Sequence, residues 1–265
     1  MRAHQESRIE ALIRRRAGKA IGDHNLIKDK DRILVALSGG KDSWTLLHIL
    51  GIFQKRAPIS FEIVPVTVDP GYPGFKADLL KRRLAKKGMS LHIEKTNNYD
   101  IIQEKAKKGR DGRIRGGDFC AFCSRLRRGI LYRLARDRGC TKIALGHHAD
   151  DVIETLLLNQ FFEGRTETML PKFVSEDGLN TVIRPLYYVW EDETMAYAKE
   201  KKVPIIFCQC PVCEDKGMQR KMVKALLFKL ERKHPGIKTS ILSASEHFHG
   251  TVQAPGLSPI YKEVG

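Results

Sequence analysis

Residues 31 to 45, running Asp31-Arg32-Ile33-Leu34-Val35-Ala36-Leu37-Ser38-Gly39-Gly40-Lys41-Asp42-Ser43-Trp44-Thr45, constrain this chain more than any other stretch. The unbroken apolar run Ile33 to Leu37 reads as a strand buried on both faces, as in a parallel sheet. The apolar spacing then changes to Leu46, Leu47, Ile49, Leu50 and Phe53, which is helical. A strand that turns tightly into a helix aims free backbone N–H groups, and the positive end of the helix dipole, at one spot. Gly39 and Gly40 let the backbone approach an anion, Lys41 adds a point charge, and Ser38 and Ser43 add hydroxyls. The loop therefore reads as a phosphate cradle. It is not of the Walker type, which requires four residues between its first glycine and its Gly-Lys pair.

The rest of the chain repeats the strand–helix alternation. Residues 7 to 27 carry Ile9, Leu12, Ile13, Ala17, Ala20 and Ile21 at helical spacing. Phe61 to Asp69 reads as a second strand, Lys76 to Lys87 as a helix, and Leu91-His92-Ile93 as a short third strand. This rhythm predicts an α/β fold, a doubly wound, Rossmann-like parallel sheet with helices on both faces. Ligands in such sheets sit at the carboxyl ends of strands, so Asp69 is expected to face the bound molecule. Thr141 to Leu145 is another strand, running through Gly146-His147-His148 into a helix that continues to Phe161. Asp150 and Asp151 open that helix, where they suit its dipole or, at a strand's carboxyl end, magnesium and pyrophosphate. A strand is expected over residues 181 to 186, and helices over 191 to 201 and 216 to 233. The last of these has Met222, Val223, Leu226, Leu227 and Leu230 inward, with Arg220, Lys221, Lys224, Lys229, Arg232 and Lys233 outward. Three parts are expected: a helical extension over 1–28, the main domain over 29–240, and a loosely ordered tail over 241–265.

The formal net charge of +16 and the pI near 9.7 favour a polyanionic partner, because each phosphate neutralised releases condensed counterions. The charge is concentrated. Residues 105 to 118 carry Lys105, Lys107, Lys108, Arg110, Arg113 and Arg115 among four glycines, the pattern of a loop that meets RNA. With 42% hydrophobic residues the chain is globular, and no apolar run approaches the roughly 20 residues of a membrane span. The start of the chain has no apolar signal-peptide core, so the cytoplasm is the expected compartment.

In that compartment, paired cysteines point to metal or thiol chemistry more than to disulfides. Cys120-Ala121-Phe122-Cys123 precedes a helix marked by Leu126, Ile130, Leu131 and Leu134. Two thiols at a helix start are compatible with a redox pair, zinc or an iron–sulfur cluster. Cys208, Cys210 and Cys213 form a second group, and Cys140, at a strand entrance, reads as a small core residue.

Ser38-Gly-Gly-Lys-Asp-Ser43 resembles the PP-loop of the N-type ATP pyrophosphatases. Together with Cys120-x-x-Cys123-Ser-Arg-Leu-Arg-Arg-Gly-Ile-Leu-Tyr, Ala144-Leu-Gly-His-His-x-Asp-Asp151 and the late cysteines, it makes the chain similar to the tRNA 2-thiocytidine synthetases, from about residue 8 to about residue 240. That resemblance implies conversion of cytidine to 2-thiocytidine, at position 32 of the anticodon loop, by adenylation of the C2 oxygen and displacement of AMP by sulfide. It implies ATP held by Ser38, Gly39, Gly40, Lys41, Asp42, Ser43, Asp69 and Gly146, with Lys41, Asp42 and Asp151 catalytic and Mg2+ on the two aspartates. It implies a 4Fe-4S cluster on Cys120, Cys123 and one late cysteine, for which Cys213 is preferred over Cys210, leaving one iron open to carry sulfide. Cys208 departs from the family pattern and keeps a four-cysteine site open. Implied partners are tRNA and a cysteine desulfurase or other sulfur donor, with no membrane, and Arg125, Arg127 and Arg128 are placed to meet RNA phosphates or the triphosphate; a homodimer is compatible with the resemblance. A tRNA 2-thiouridine synthetase, a sulfur carrier that works by persulfide, and a zinc-stabilised RNA-binding protein without turnover remain the alternatives.

Replacement of each cysteine by alanine separates these alternatives. Loss at Cys120, Cys123 or Cys213 should remove both cluster absorbance and thiolation, while Cys208→Ala and Cys140→Ala keep both. Iron bound by Cys120, Cys123, Cys210 and Cys213 together would exclude an open iron and require sulfur to arrive as a persulfide.

Overall fold

The computed structural model describes residues 6–72, 74–107, 116–206 and 218–252. The buried run forms β1 (Asp31–Ala36), which pairs in parallel with β2 (Phe61–Asp69) on one side and β4 (Lys142–Ala144) on the other. β3 (His92–Lys95) extends the β2 side; β6 (Thr181–Ile183) and β5 (Lys172–Val174) extend the β4 side. The order is β3-β2-β1-β4-β6-β5, with only the edge pair β5–β6 antiparallel. The doubly wound parallel sheet is the one expected. β5 is an addition, a three-residue edge strand with too little apolar pattern to announce itself.

Helices cover both faces, unequally. Ile33 and Val35 are fully buried in one core cluster and Leu34 in a second, so successive β1 residues point into opposite layers. The first layer draws on α1 (Arg8–Asp23), α2 (Lys41–Arg56), α3 (Ala77–Ala85), α6 (Ala149–Leu158), α7 (Glu191–Glu200), α8 (Met218–Lys233) and α9 (Ile237–Val252). The second draws on Leu131, Leu134 and Ala135 of α5 (Gly116–Asp137), beside which α4 (Asn98–Lys107) packs. Because Ile13, Ala17 and Ala20 of α1 enter the first cluster, the expected N-terminal extension packs as part of the main core. Among the described residues, no helix is long and apolar enough to cross a membrane.

Several expectations are corrected. The segment after Pro235 is not loose: it forms α9, which buries Leu242 and Ser245 against α6 and α8. Residues 253–265 of the expected tail lie outside the described residues, as do Lys108, Arg110, Arg113 and Arg115 of the basic connection. Helix α5 begins at Gly116, so Cys120 and Cys123 stand inside it, beyond its first turn. Helix α6 ends at Leu158 and passes into a π-helical turn, Asn159–Glu163, that leaves Phe161 half exposed. Met222 also points to solvent, leaving Val223 and Leu227 to anchor α8.

A buried ion pair fastens the far end of the sheet. Lys142 Nζ lies 2.7 Å from Asp31 Oδ2 and donates to Leu26 O, also at 2.7 Å. Asp31 further accepts from the Lys28 amide at 2.6 Å and from Thr141 Oγ1 at 2.8 Å. Burial alone would raise the Asp31 pKa, but Lys142 and these hydrogen bonds outweigh it and hold the carboxyl below its usual value. Lys142→Ala, which orphans a buried carboxylate, should cost about 3–5 kcal/mol at neutral pH. Because the folded pKa of Asp31 is depressed, its contribution is complete above the unfolded value near 4 and fades as pH falls through the folded value. Urea unfolding of wild type and variant should therefore differ most at pH 7 and converge towards pH 3; equal stabilities at pH 7 would refute the assignment.

Candidate active site

Strand order reverses between β1 and β4: the chain leaves β1 towards β2 and β3, then returns to the other side for β4. At such a switch point the loops leaving the two strands diverge and open a crevice at their carboxyl ends. Here those loops are Leu37–Gly40, entering α2, and Leu145–His148, entering α6.

The first loop is tightly organised. Leu37 prolongs the pairing through its N–H to Val66 O at 2.8 Å, after which Gly39 adopts φ +87°. That φ, and a Cβ that would stand 3.0 Å from Ile206 Cβ, both favour glycine here, and Gly39 O accepts from the Ile206 N–H at 2.9 Å. Gly40 caps α2 without a side chain. Ser43 Oγ donates to Gly40 O at 2.9 Å, and Ser38 Oγ accepts from the Gly40 N–H at 3.3 Å. Six expected cradle residues, Ser38 to Ser43, thus form one turn at the start of a 16-residue helix.

Lys41 and Asp42 face a cleft of about 300 Å³ together with His148, Asp151, Glu154 and Glu191, and with Arg220, Lys221 and Lys224 of α8. Lys41 Nζ lies 2.9 Å from Asp42 Oδ2 and 3.4 Å from Glu191 Oε1. Thr194 Oγ1 donates to Asp42 Oδ1 at 2.6 Å. The His148 ring stands between the two aspartates, with Nε2 3.8 Å from Asp42 Oδ1 and Nδ1 3.5 Å from Asp151 Oδ2. His148 and Asp151 also form a reciprocal cap on α6, so the helix-capping role considered for Asp151 is real and coexists with its place in the cleft. Asp150 takes no part in the cleft; it accepts from the Glu191 N–H at 2.7 Å and pairs with Lys238.

Burial raises the Asp151 pKa, but the two histidines, the His148 amide and Arg220 more than offset it, so the net shift is downward. Glu154 goes the other way, because burial outweighs the pull of Arg220. Glu191 is held down, despite its burial, by Lys224 and Lys41. Adjacent His147 points elsewhere. Arg184 Nε donates to its Nδ1 at 3.3 Å, and burial with that guanidinium pushes its pKa down to about 4. Two neighbouring histidines with separate duties do not make a zinc pair.

Asp69 lies one strand further out, at the end of β2. Its carboxylate accepts from the Gly71 N–H at 3.0 Å and does not line the cleft. Gly146 does not face the cleft with a side chain either; it lets the loop after β4 approach the first turn of α2. Cys123 is a partly buried free thiol, and Cys140 is a partly buried one packed against the second core layer with its pKa raised by burial. The side chain of Cys120, and Cys208, Cys210 and Cys213 entirely, lie outside the described residues. Among the described residues, no group of three or more His, Cys, Asp or Glu side chains is arranged to hold a metal ion.

Glu154, Glu191, Thr194 and the inward aim of Arg220 and Lys224 were not foreseen from the sequence. The signal for Glu154 was present: it lies one turn after Asp151 on the same helix face. For Glu191, Thr194 and α8 there was none, since only tertiary packing brings them to α2.

A family model described as a PP-loop domain matches residues 3–230. Proteins named tRNA-cytidine(32) 2-sulfurtransferase from Geobacter metallireducens and Geobacter sulfurreducens are each 49% identical to this chain over 232 residues, which is 88% of this chain and 88% of theirs. The protein of that name from Geotalea uraniireducens is 48% identical over 239 residues, 90% of this chain and 92% of its own. Among solved structures, the U34-tRNA thiolase NcsA from Methanococcus maripaludis with its 4Fe-4S cluster matches at a TM-score of 0.71 and 23% identity, covering 94% of this chain and 83% of that one. The NH3-dependent NAD synthetase of Campylobacter jejuni matches at a TM-score of 0.51 and 15% identity, covering 97% of this chain and 100% of that one. At those identities the structural likeness is one of fold.

The approach at Gly146 can be tested directly. A Cβ there would sit 3.1 Å from Asp42 C and Ser43 N, backbone atoms that cannot swing aside. Gly146→Ala should cost about 1–3 kcal/mol and displace Lys41 and Asp42, weakening phosphate binding. Gly129→Ala, where nothing lies within 4 Å, should be neutral or stabilising. Thermal melts that rank the two alike would refute the close contact.

Proposed function

The chain belongs to the PP-loop tRNA-cytidine(32) 2-sulfurtransferase family, and from that membership we propose that it uses ATP to replace the C2 oxygen of cytidine 32 in tRNA by sulfur. The observation that carries the reading is the phosphate cradle at the β1–β4 switch point, with Lys41 and Asp42 opening into a charged cleft.

The chemistry needs such a site because the C2 oxygen is a poor leaving group. The oxygen attacks the α-phosphorus of ATP and pyrophosphate departs; sulfide then attacks C2 and AMP leaves with the oxygen. Negative charge builds on the departing pyrophosphate, and the amides at the start of α2, with Lys41, are aimed where it develops. Lys41 is 14% exposed and held between Asp42 and Glu191, so little reorganisation is needed when phosphate arrives. Thr194 fixes Asp42, and the reciprocal cap fixes Asp151.

Magnesium is normally held by one or two carboxylates, with substrate phosphates and water completing its shell. Asp42 and Asp151 are the cleft carboxylates that would hold it, although the His148 ring separates them in this structure. For the cluster, Cys120 and Cys123 stand three residues apart on α5. These two and Cys213 would hold it. When bound, a three-cysteine cluster supplies an iron open to an external sulfur ligand. The reading carries with it a cytoplasmic protein whose partners are tRNA and a cysteine desulfurase or other sulfur donor. Exposed Arg125 and Arg127 follow Cys123 on α5 and suit RNA phosphates.

Nucleoside analysis of tRNA from cells lacking this protein should show loss of 2-thiocytidine, restored by wild type and not by Lys41→Ala. In single-turnover assays Lys41→Ala should slow modification about a hundredfold, the effect of removing one charge aimed at a leaving group. Full turnover by the variant would remove the loop from the mechanism, and loss of 2-thiouridine instead would identify a different target base.

A further inference from the structure

The cations of α8 do not all face outward, as amphipathic spacing suggested. Arg220 Nη1 lies 3.5 Å from Asp151 Oδ1 and 3.6 Å from Glu154 Oε2, and Lys224 pairs with Glu191. We propose that Arg220 and Lys224 are ligands of the ATP phosphates, which they grip by exchanging these carboxylates for the departing pyrophosphate. The proposal rests on the ATP reading above and adds a second, cationic wall to the same cleft.

Charge balance is the first support. Four carboxylates line the cleft, Asp42, Asp151, Glu154 and Glu191, and the cradle side opposes them with Lys41 alone. Such a field would repel a triphosphate. The other three lining cations, Arg220, Lys221 and Lys224, all come from α8, so this helix is what makes the cleft compatible with an anion.

Geometry is the second. At 3.5 and 3.6 Å both contacts of Arg220 are longer than the 2.7–2.9 Å or so of a charge-assisted hydrogen bond, and the side chain is 46% exposed. The guanidinium is near its partners without being locked to them, and its fork suits phosphate oxygens in a bidentate contact. Glu191 bridges Lys41 and Lys224, the cradle lysine and the α8 lysine. One carboxylate between two lysines marks where a phosphate carrying two oxygens would satisfy both. Lys229, Arg232 and Lys233, further along α8, have no part in the cleft lining and are left for RNA.

Calorimetric titration of the full-length protein with ATP and with inorganic pyrophosphate, both with magnesium, tests the assignment alongside tRNA binding over a salt series. Arg220→Met and Lys224→Met should each weaken pyrophosphate binding about 10- to 100-fold, with Arg220→Lys between wild type and Arg220→Met. The log–log salt slope for tRNA should stay within about one of wild type for each, whereas Lys229→Ala combined with Lys233→Ala should lower it by about two and leave pyrophosphate binding alone. Unchanged pyrophosphate affinity in both α8 variants, or a loss confined to the tRNA slope, would overturn the proposal while leaving the ATP reading intact. If wild type binds neither ATP nor pyrophosphate, or Lys41→Ala binds them equally well, the ATP reading fails and this proposal with it. Coincident thermal melts exclude unfolding as the cause, and because both side chains are about half exposed, both variants should pass that check.

Discussion

Everything at the cleft depends on where β1 is forced to stop. Six of its residues pair with β2 and three with β4, and its side chains are buried in both layers, so the strand cannot slip by one residue without turning a core face outward. The Leu37 amide still finds a partner on β2, and Thr67 Oγ1 caps the Leu37 carbonyl at 2.7 Å. Beyond that point β4 has already ended and β2 runs on beside β3 alone, while the chain turns through Gly39 and Gly40 into α2. The amides at the head of α2 are therefore fixed to the rigid centre of the sheet. Preorganised donors of this kind lose little when an anion arrives, which is the property a phosphate site requires.

Around that fixed cradle the cleft is built from charges that hold one another in place. Carboxylates and cations alternate from Asp42 and Lys41 through Glu191 to Lys224, and from Asp151 to Arg220. Each ion has a partner, which keeps the cleft closed to collapse without filling it with apolar side chains. The arrangement also divides labour among the acids. Asp151, supported by His148 and Arg220, stays ionised and suits a cation, whereas Glu154, buried deeper, is biased towards its neutral form. Two carboxylates three residues apart on one helix thus have their pKa values moved in opposite directions by their surroundings.

The central strand, the cradle, β2 to its terminal Asp69, and the paired aspartates at the start of α6 were legible in the sequence because each is encoded locally. A buried strand leaves a run of apolar residues and a tight turn leaves glycines. What stayed hidden was encoded tertiarily. Helix α9 buries Ser245 where a hydrophobic periodicity would require a leucine, so its pattern thins out after Leu242. On α8 the basic residues recur on all sides of a narrow apolar seam, Val223 and Leu227, and periodicity alone cannot tell a solvent-facing lysine from one aimed into a cleft. Asp69 was placed by a correct rule about strand ends, but the switch point lies at β1 and β4, and a residue on β2 is one strand too far.

The same topology bears on where the first cysteine pair lies. A crossover helix runs antiparallel to the strands it joins, so α5, which feeds β4 at its amino end, begins at the carboxyl edge where the cleft opens. At 22 residues α5 is about 33 Å long, far longer than the three-residue strand it precedes, and its start, with Cys120 and Cys123, belongs to that edge. Cys140, after the other end of α5, belongs to the opposite edge, which agrees with a packing role. The late cysteines lie outside the described residues, but the residues that flank them are held at the cleft. Before them, the Ile206 amide is bonded to the cradle at Gly39; after them, Arg220 is paired with Asp151 across the cleft. Both flanks of the segment carrying Cys208, Cys210 and Cys213 are thus fastened to the nucleotide-facing residues themselves. A change at the cradle acts on the Ile206 flank of that stretch, and a change at Arg220 acts on the other.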